Sequence, residues 1–157
     1  MTQDLSLLEE VKLQAQVLVP VLKALRAEIG KEKADRIVGQ ALTEWSKSLY
    51  RRIGEQKGGD ARERFDAIWA DLRPRIGNAV DRDMLKDDGE VREYNVTRCA
   101  YAEFFKALGE PELGTVLLCD IDFHIAEIGA GAIEFKRTQT IMKGAPYCDF
   151  RYRMKQG

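Results

Sequence analysis

The chain has 157 residues, 45% of them hydrophobic and 32% charged, which suits one soluble globular domain rather than a disordered or fibrous polypeptide. Its formal net charge of -1 and pI near 6.0 provide no basic field for nucleic acid or anionic lipid. No apolar run approaches the roughly 20 residues of a spanning helix, and the first ten residues carry Asp4, Glu9 and Glu10 instead of a basic start. A cytoplasmic protein that engages neither membrane nor nucleic acid is the expectation.

From residue 5 to 29, Leu8, Val11, Ala15, Leu18, Leu22 and Leu25 recur at three- and four-residue steps and predict a helix. Pro20 is expected to kink or divide it, and Gly30 to end it. A second helix is expected over 31–55, with Ile37, Val38, Ala41, Leu42, Trp45, Leu49 and Ile53 as its buried stripe. Asp60 is placed to cap a third, whose apolar face is Phe65, Ile68, Trp69 and Leu72 and which stops between Pro74 and Gly77. Trp45 and Trp69 read as core anchors.

Residues 78–90 are polar and contain DRDMLKDDGE, which reads as an exposed, mobile connection. It separates a mainly helical part, 1–77, from a mixed part, 91–157, within a single domain. VREYNVT at 91–97 predicts a strand, and Thr97 an N-cap for a helix carrying Tyr101, Phe104, Phe105 and Leu108, closed by Gly109. Cys99 would then lie near a helix N-terminus, where exposed amides lower a thiol pKa.

A turn at 110–114 precedes a predicted helix over 115–128, with Leu117, Ile121, Ile125 and Ile128 buried. On a regular helix Asp120 and His124 stand one turn apart, so the carboxylate can orient the imidazole and raise its pKa; the alternative is an ordinary surface pair. After Gly129 and Gly131, residues 133–142 alternate as a strand that places Ile133, Phe135, Arg137 and Ile141 on one face. Residues 147–154 alternate again, with Cys148, Phe150, Tyr152 and Met154 on one side and Asp149, Arg151 and Arg153 on the other. The fold class is α+β, with N-terminal helices packed against a small C-terminal antiparallel sheet.

Three cysteines and one histidine are the chain's soft donors. An odd cysteine count without a secretory context argues for free thiols, ligands or small buried side chains rather than disulfides. Cys99, Cys119, His124 and Cys148 have the donor types for zinc, but their spacing matches no compact knuckle. The same residues with Asp120 or Asp122 could instead serve nucleophilic or acid–base catalysis. Glycine-rich phosphate loops, dinucleotide fingerprints, HExxH and paired CxxC are all absent.

The strings TRCAYAEFFKALGEPELG (97–114), CDIDF (119–123) and EFKRTQTIMKGAPYCDFRYR (134–153) resemble the L-2-amino-thiazoline-4-carboxylic acid hydrolase family. The resemblance begins near Tyr94, and the helical first half looks like the family's variable part. It implies a bacterial hydrolase acting on carbon-nitrogen or carbon-sulfur bonds of a cyclic amidine, as in ring opening of 2-amino-thiazoline-4-carboxylate to N-carbamoyl-cysteine. Cys99, Cys119, Asp120, Asp122, His124 and Cys148 are the catalytic candidates. Arg98, Arg137 and Arg151 are candidate clamps for a substrate carboxylate, or else solvated charges, with Asp149 as a partner for Arg137. By analogy the cysteine-bearing motif also resembles ligand-binding domains related to 4-vinyl reductase, which implies a small-molecule or zinc-binding module without turnover. A small-molecule substrate, no cofactor unless zinc, and a possible homo-oligomer complete the expectations.

Overall fold

The structure is a computed structural model that describes residues 5–155. Helix α1, Leu7–Ile29, opens on a reciprocal cap: Ser6 Oγ accepts from the Glu9 amide, and the Glu9 carboxylate accepts from the Ser6 amide. It runs through Pro20 undivided, because proline forfeits one ladder bond while buried Ala15 and Leu22 hold the helix on either side. Gly30, at φ 86°, reverses the chain into α2, Lys31–Lys57.

The predicted stripe of α2 holds in part: Val38, Leu42, Leu49 and Ile53 are half-buried against the core. Ile37 and Trp45 are 41% and 44% exposed, while Ala34, Ser46, Tyr50 and Gly54 are buried, so Trp45 is no core anchor. Gly54 lies where α2 meets two later helices: a Cβ there would stand 3.4 Å from the Arg64 Cβ and 3.5 Å from Ile68 and Ile128 carbons, ordinary contact distances. Helix α3, Ala61–Ile76, matches its expectation, capped by Asp60 and Glu63 and burying Phe65, Ile68, Trp69 and Leu72.

Residues 78–90 are not a loose connection. Strand β1, Val80–Asp87, pairs antiparallel with β2, Val91–Cys99, through a tight turn in which Asp88 Oδ1 accepts from the amides of Glu90 and Val91. The strand escapes a pattern search because it is a sheet edge, with Asp81 to Asp87 exposed on both faces; such charge protects the open edge from further pairing. The sheet order is β1-β2-β4-β3, all antiparallel, with β3 at Ile133–Lys136 and β4 at Cys148–Met154. β3 is shorter than its alternation predicted. The Asp149 carboxylate accepts from the backbone amides of Thr138 and Gln139 at 2.9 and 2.8 Å and holds that segment off the ladder.

β2 passes directly into α4, Ala100–Ala107, so Cys99 rather than Thr97 takes the N-cap position, and Leu108 lies 39% exposed beyond the helix. The expected turn at 110–114 contains a short helix, α5, Pro111–Gly114, followed by a π-helical turn, Thr115–Cys119, and α6, Ile121–Ile128. The predicted continuous helix is thus interrupted where the Asp120 amide reaches back to the Thr115 carbonyl at 2.9 Å. Helices α3 and α6 bury their apolar faces under β2 and β4, where Tyr94 stacks on Phe150 and Phe135 on Tyr152.

Gly114, the last residue of α5, packs against Phe105 and Met142. A Cβ there would meet Phe105 Cγ at 2.6 Å and Met142 Cε at 2.7 Å. Gly114→Ala is therefore expected to destabilise the fold by about 1–3 kcal/mol through overpacking, read as a lower urea midpoint at unchanged slope.

Candidate functional site

The sheet and helices enclose a cavity of about 110 Å³ into which all three cysteines project. Cys99 comes from the β2–α4 junction, Cys119 from the end of the π turn and Cys148 from the start of β4. Asp122, in the first turn of α6, and Arg137, just after β3, form the polar end; Trp69, Leu72, Val96, Ile121 and Phe150 make the walls apolar. Cys119 and Asp122 stand three residues apart, the spacing that puts two helical side chains on one side, and both line the cavity.

Arg137 is 4% exposed, and its inward direction follows the strand alternation. Its partner is Asp122, at 2.5 Å, and not Asp149, whose carboxylate is occupied by the 138–139 backbone. The guanidinium also donates to the Cys119 carbonyl at 2.7 Å and lies over the rings of Phe123 and Phe150 at 4.9 and 5.4 Å. Burial and the guanidinium pull the Asp122 carboxyl in opposite directions. Burial wins, and the pKa is pushed up to about 6.

The thiols are also raised. Burial lifts Cys119 most, well beyond an ordinary cysteine, and lifts Cys148 even though the Ile141 amide donates to its sulfur at 3.3 Å. Cys99 corrects a sequence expectation: the amides of Tyr101 and Ala102 do favour its thiolate, but desolvation outweighs them and the pKa rises. All three are neutral thiols at pH 7. Iodoacetamide is accordingly expected to label them slowly at neutral pH in the native state and faster with rising pH, as intact-protein mass spectrometry would record; rapid labelling of any one at pH 7 would contradict this.

His124 does not join the cysteines. It is two residues from Asp122 and so faces another side of α6, toward Lys47, Arg51, Glu55, Arg64 and Glu127. Its link to Asp120 is the helical backbone bond at 3.3 Å, both ring nitrogens lack a hydrogen-bond partner, and burial lowers its pKa, outweighing the rise that Glu127 and Asp120 favour. Arg98 also lies outside the cavity, 47% exposed and paired with Glu103 and Asp81. Arg151 binds the carbonyls of Tyr94 and Phe150 and Asn95 Oδ1, stapling β2 to β4. Among the described residues no group of three or more His, Cys, Asp or Glu converges to hold a metal ion, so the expected zinc donors have no assembled site there.

The family model for L-2-amino-thiazoline-4-carboxylic acid hydrolase matches residues 10–152. The chain belongs to that family. The match extends through α1 to α3, so the helical half is part of the family architecture and not an addition to it. No curated protein matches this hydrolase-family chain. Among solved structures it is similar to the phenol-responsive sensory domain of the transcription activator PoxR with phenol, at 12% identity, TM-score 0.45, 87% of this chain and 72% of that one. No helix among the described residues is long and apolar enough to cross a membrane.

Two cavity residues of this hydrolase-family chain escape sequence reasoning. Arg82 rises from β1 to the cavity, its guanidinium 5.8 Å from the Tyr94 ring centre, and makes no hydrogen bond or ion pair with another described residue. A stretch read as a solvated loop gave no reason to choose it. Tyr101 is 6% exposed, and its hydroxyl has no hydrogen-bond partner although it lines the same cavity. Helical periodicity reveals that such a ring is buried, not where its oxygen points.

Proposed function

We propose that this chain is a hydrolase that opens a small cyclic amidine ring of the 2-amino-thiazoline-4-carboxylate type by adding water, with Asp122 moving the proton. The observation that carries the reading is a carboxyl that faces an apolar cavity, its pKa raised to about 6 by burial against the opposing pull of Arg137. A base works best when its pKa lies near the working pH, and about 6 is close enough to leave most of Asp122 ionised at pH 7.

In this scheme Asp122 takes a proton from water as its oxygen adds to the carbon between ring nitrogen and ring sulfur. The tetrahedral species then breaks its carbon–sulfur bond: the electron pair goes to sulfur, Asp122 returns the proton there, and the proton left on the added oxygen passes to the ring nitrogen. The product carries a carbamoylated nitrogen and a free thiol, and only water is consumed. Arg82 supplies a cation for the substrate carboxylate, and the Tyr101 hydroxyl a hydrogen bond to a ring heteroatom. The cavity, about 110 Å³, is of the order of the roughly 150 Å³ that admits benzene, so a five-membered ring is a reasonable occupant.

The neutral thiols favour water over a cysteine as the attacking group. They also support a second reading, a binding module that holds a small apolar ring unchanged. Incubation with 2-amino-thiazoline-4-carboxylate separates the two. Thiol release in proportion to protein, with product heavier by one water, is expected; binding without release would establish the module instead. Single changes of Cys99, Cys119 and Cys148 to Ala should each keep turnover within about tenfold, whereas collapse in one of them would restore a thiol nucleophile.

A further inference from the structure

We infer that the groove between α2, α3 and α6 is a second site, one that binds a phosphate-class oxyanion. His124 is 8% exposed, lines this groove, and has both ring nitrogens buried without a partner. Arg64 Nε, from α3, is likewise buried and unpartnered in the same wall. Unsatisfied buried polar atoms are rare, and two side chains that carry them line one opening of about 340 Å³, which marks where a ligand completes the hydrogen bonding. This inference is independent of the hydrolase reading, since none of its residues lines the thiol cavity.

The charge inventory selects an anion. Lys47, Arg51 and Arg64 face two carboxylates, and one of these, Glu127, is already 3.1 Å from Lys47. Glu55 alone remains to balance two guanidinium groups, and it is exposed. The remaining donors come from three helices, Arg51 on α2, Arg64 on α3 and His124 on α6, which suits a tetrahedral oxyanion with several acceptor oxygens better than a flat carboxylate. Glu44 and Asp120 add the other nearby negative charges felt by His124, and neither lines the opening. An anion seated there favours the imidazolium, so by linkage its affinity rises as pH falls.

His124 is the chain's sole histidine, so its ring resonances report on the groove without assignment ambiguity. Inorganic phosphate and glycerol phosphate would be titrated into the intact protein at constant ionic strength, with chloride as the reference salt. A saturable shift of the His124 signals, a higher His124 pKa than in chloride, and at least tenfold weaker binding in Arg64→Gln or Arg51→Gln are expected. Two separate substitutions guard against one failing to fold. Tighter binding of the ester would point to an organic phosphate, and equal or tighter binding of the inorganic ion to free phosphate. Ring signals and pKa unchanged between phosphate and chloride, or binding unaffected in folded Arg64→Gln and Arg51→Gln, would overturn the site.

Discussion

Asp122→Asn is expected to lower kcat/KM for ring opening by about 10²- to 10⁴-fold, the usual loss when a general base is removed. Asparagine keeps the size of the side chain and an oxygen that can accept from Arg137, but it cannot take a proton at any accessible pH. The loss should fall on kcat more than on KM, because the carboxylate is assigned to the chemical step and Arg82 to binding. Circular dichroism should show the variant folded. Retained turnover would remove Asp122 from the chemistry and return attention to the thiols.

The largest stability effect is expected from Arg137→Met. The guanidinium is almost wholly buried and pairs with Asp122, so its removal strands a carboxylate in an apolar cavity. Breaking a buried pair from one side costs about 3–5 kcal/mol, which urea unfolding at pH 8 would register. The pH dependence follows from the direction of the Asp122 shift. Its folded pKa already stands above the ordinary 3.8 and rises further when the cation is gone. Between the unfolded and folded values the folded state binds more protons, so the variant recovers stability as pH falls through that window and is weakest above it. Adding Asp122→Asn to Arg137→Met should restore part of the loss at pH 8 for the same reason. A deficit independent of pH would locate the damage in lost ring packing around the guanidinium rather than in charge.

Much of this architecture was legible in the amino-acid order, and the exceptions share a cause. The α3 face of Phe65, Ile68, Trp69 and Leu72 and the β4 face of Cys148, Phe150, Tyr152 and Met154 could be read because one side of each element is buried and the period is clean. The inward course of Arg137 came from the same alternation. Trp45 was misplaced because apolar residues lie on more than one flank of α2, and only packing against the neighbouring helices decides which flank is covered. Strand β1 lacked alternation since its charged edge leaves residues 81–87 in solvent, and Arg82 was missed with it.

The site itself was half legible. Residue chemistry singled out Cys99, Cys119, Cys148, Asp122 and Arg137, and the fold brings them to one cavity. It also singled out His124, which two steps of helix carry to another groove, and it paired Arg137 with Asp149 because strand neighbours are visible in sequence while the packing of α6 beside the end of β3 is not. Thiol reactivity was misjudged at Cys99 for a related reason. A helix N-terminus can be read from residues, whereas the degree of desolvation that overrides it cannot.

The pH profile of kcat/KM for 2-amino-thiazoline-4-carboxylate opening by the unmodified protein tests the assignment of Asp122 most directly. An acid limb that halves the rate near pH 6 and disappears from the residual rate of Asp122→Asn is the expected result. A profile flat from pH 5 to 7, or one that rises only above about pH 8.5 in step with an ordinary thiol, would contradict it.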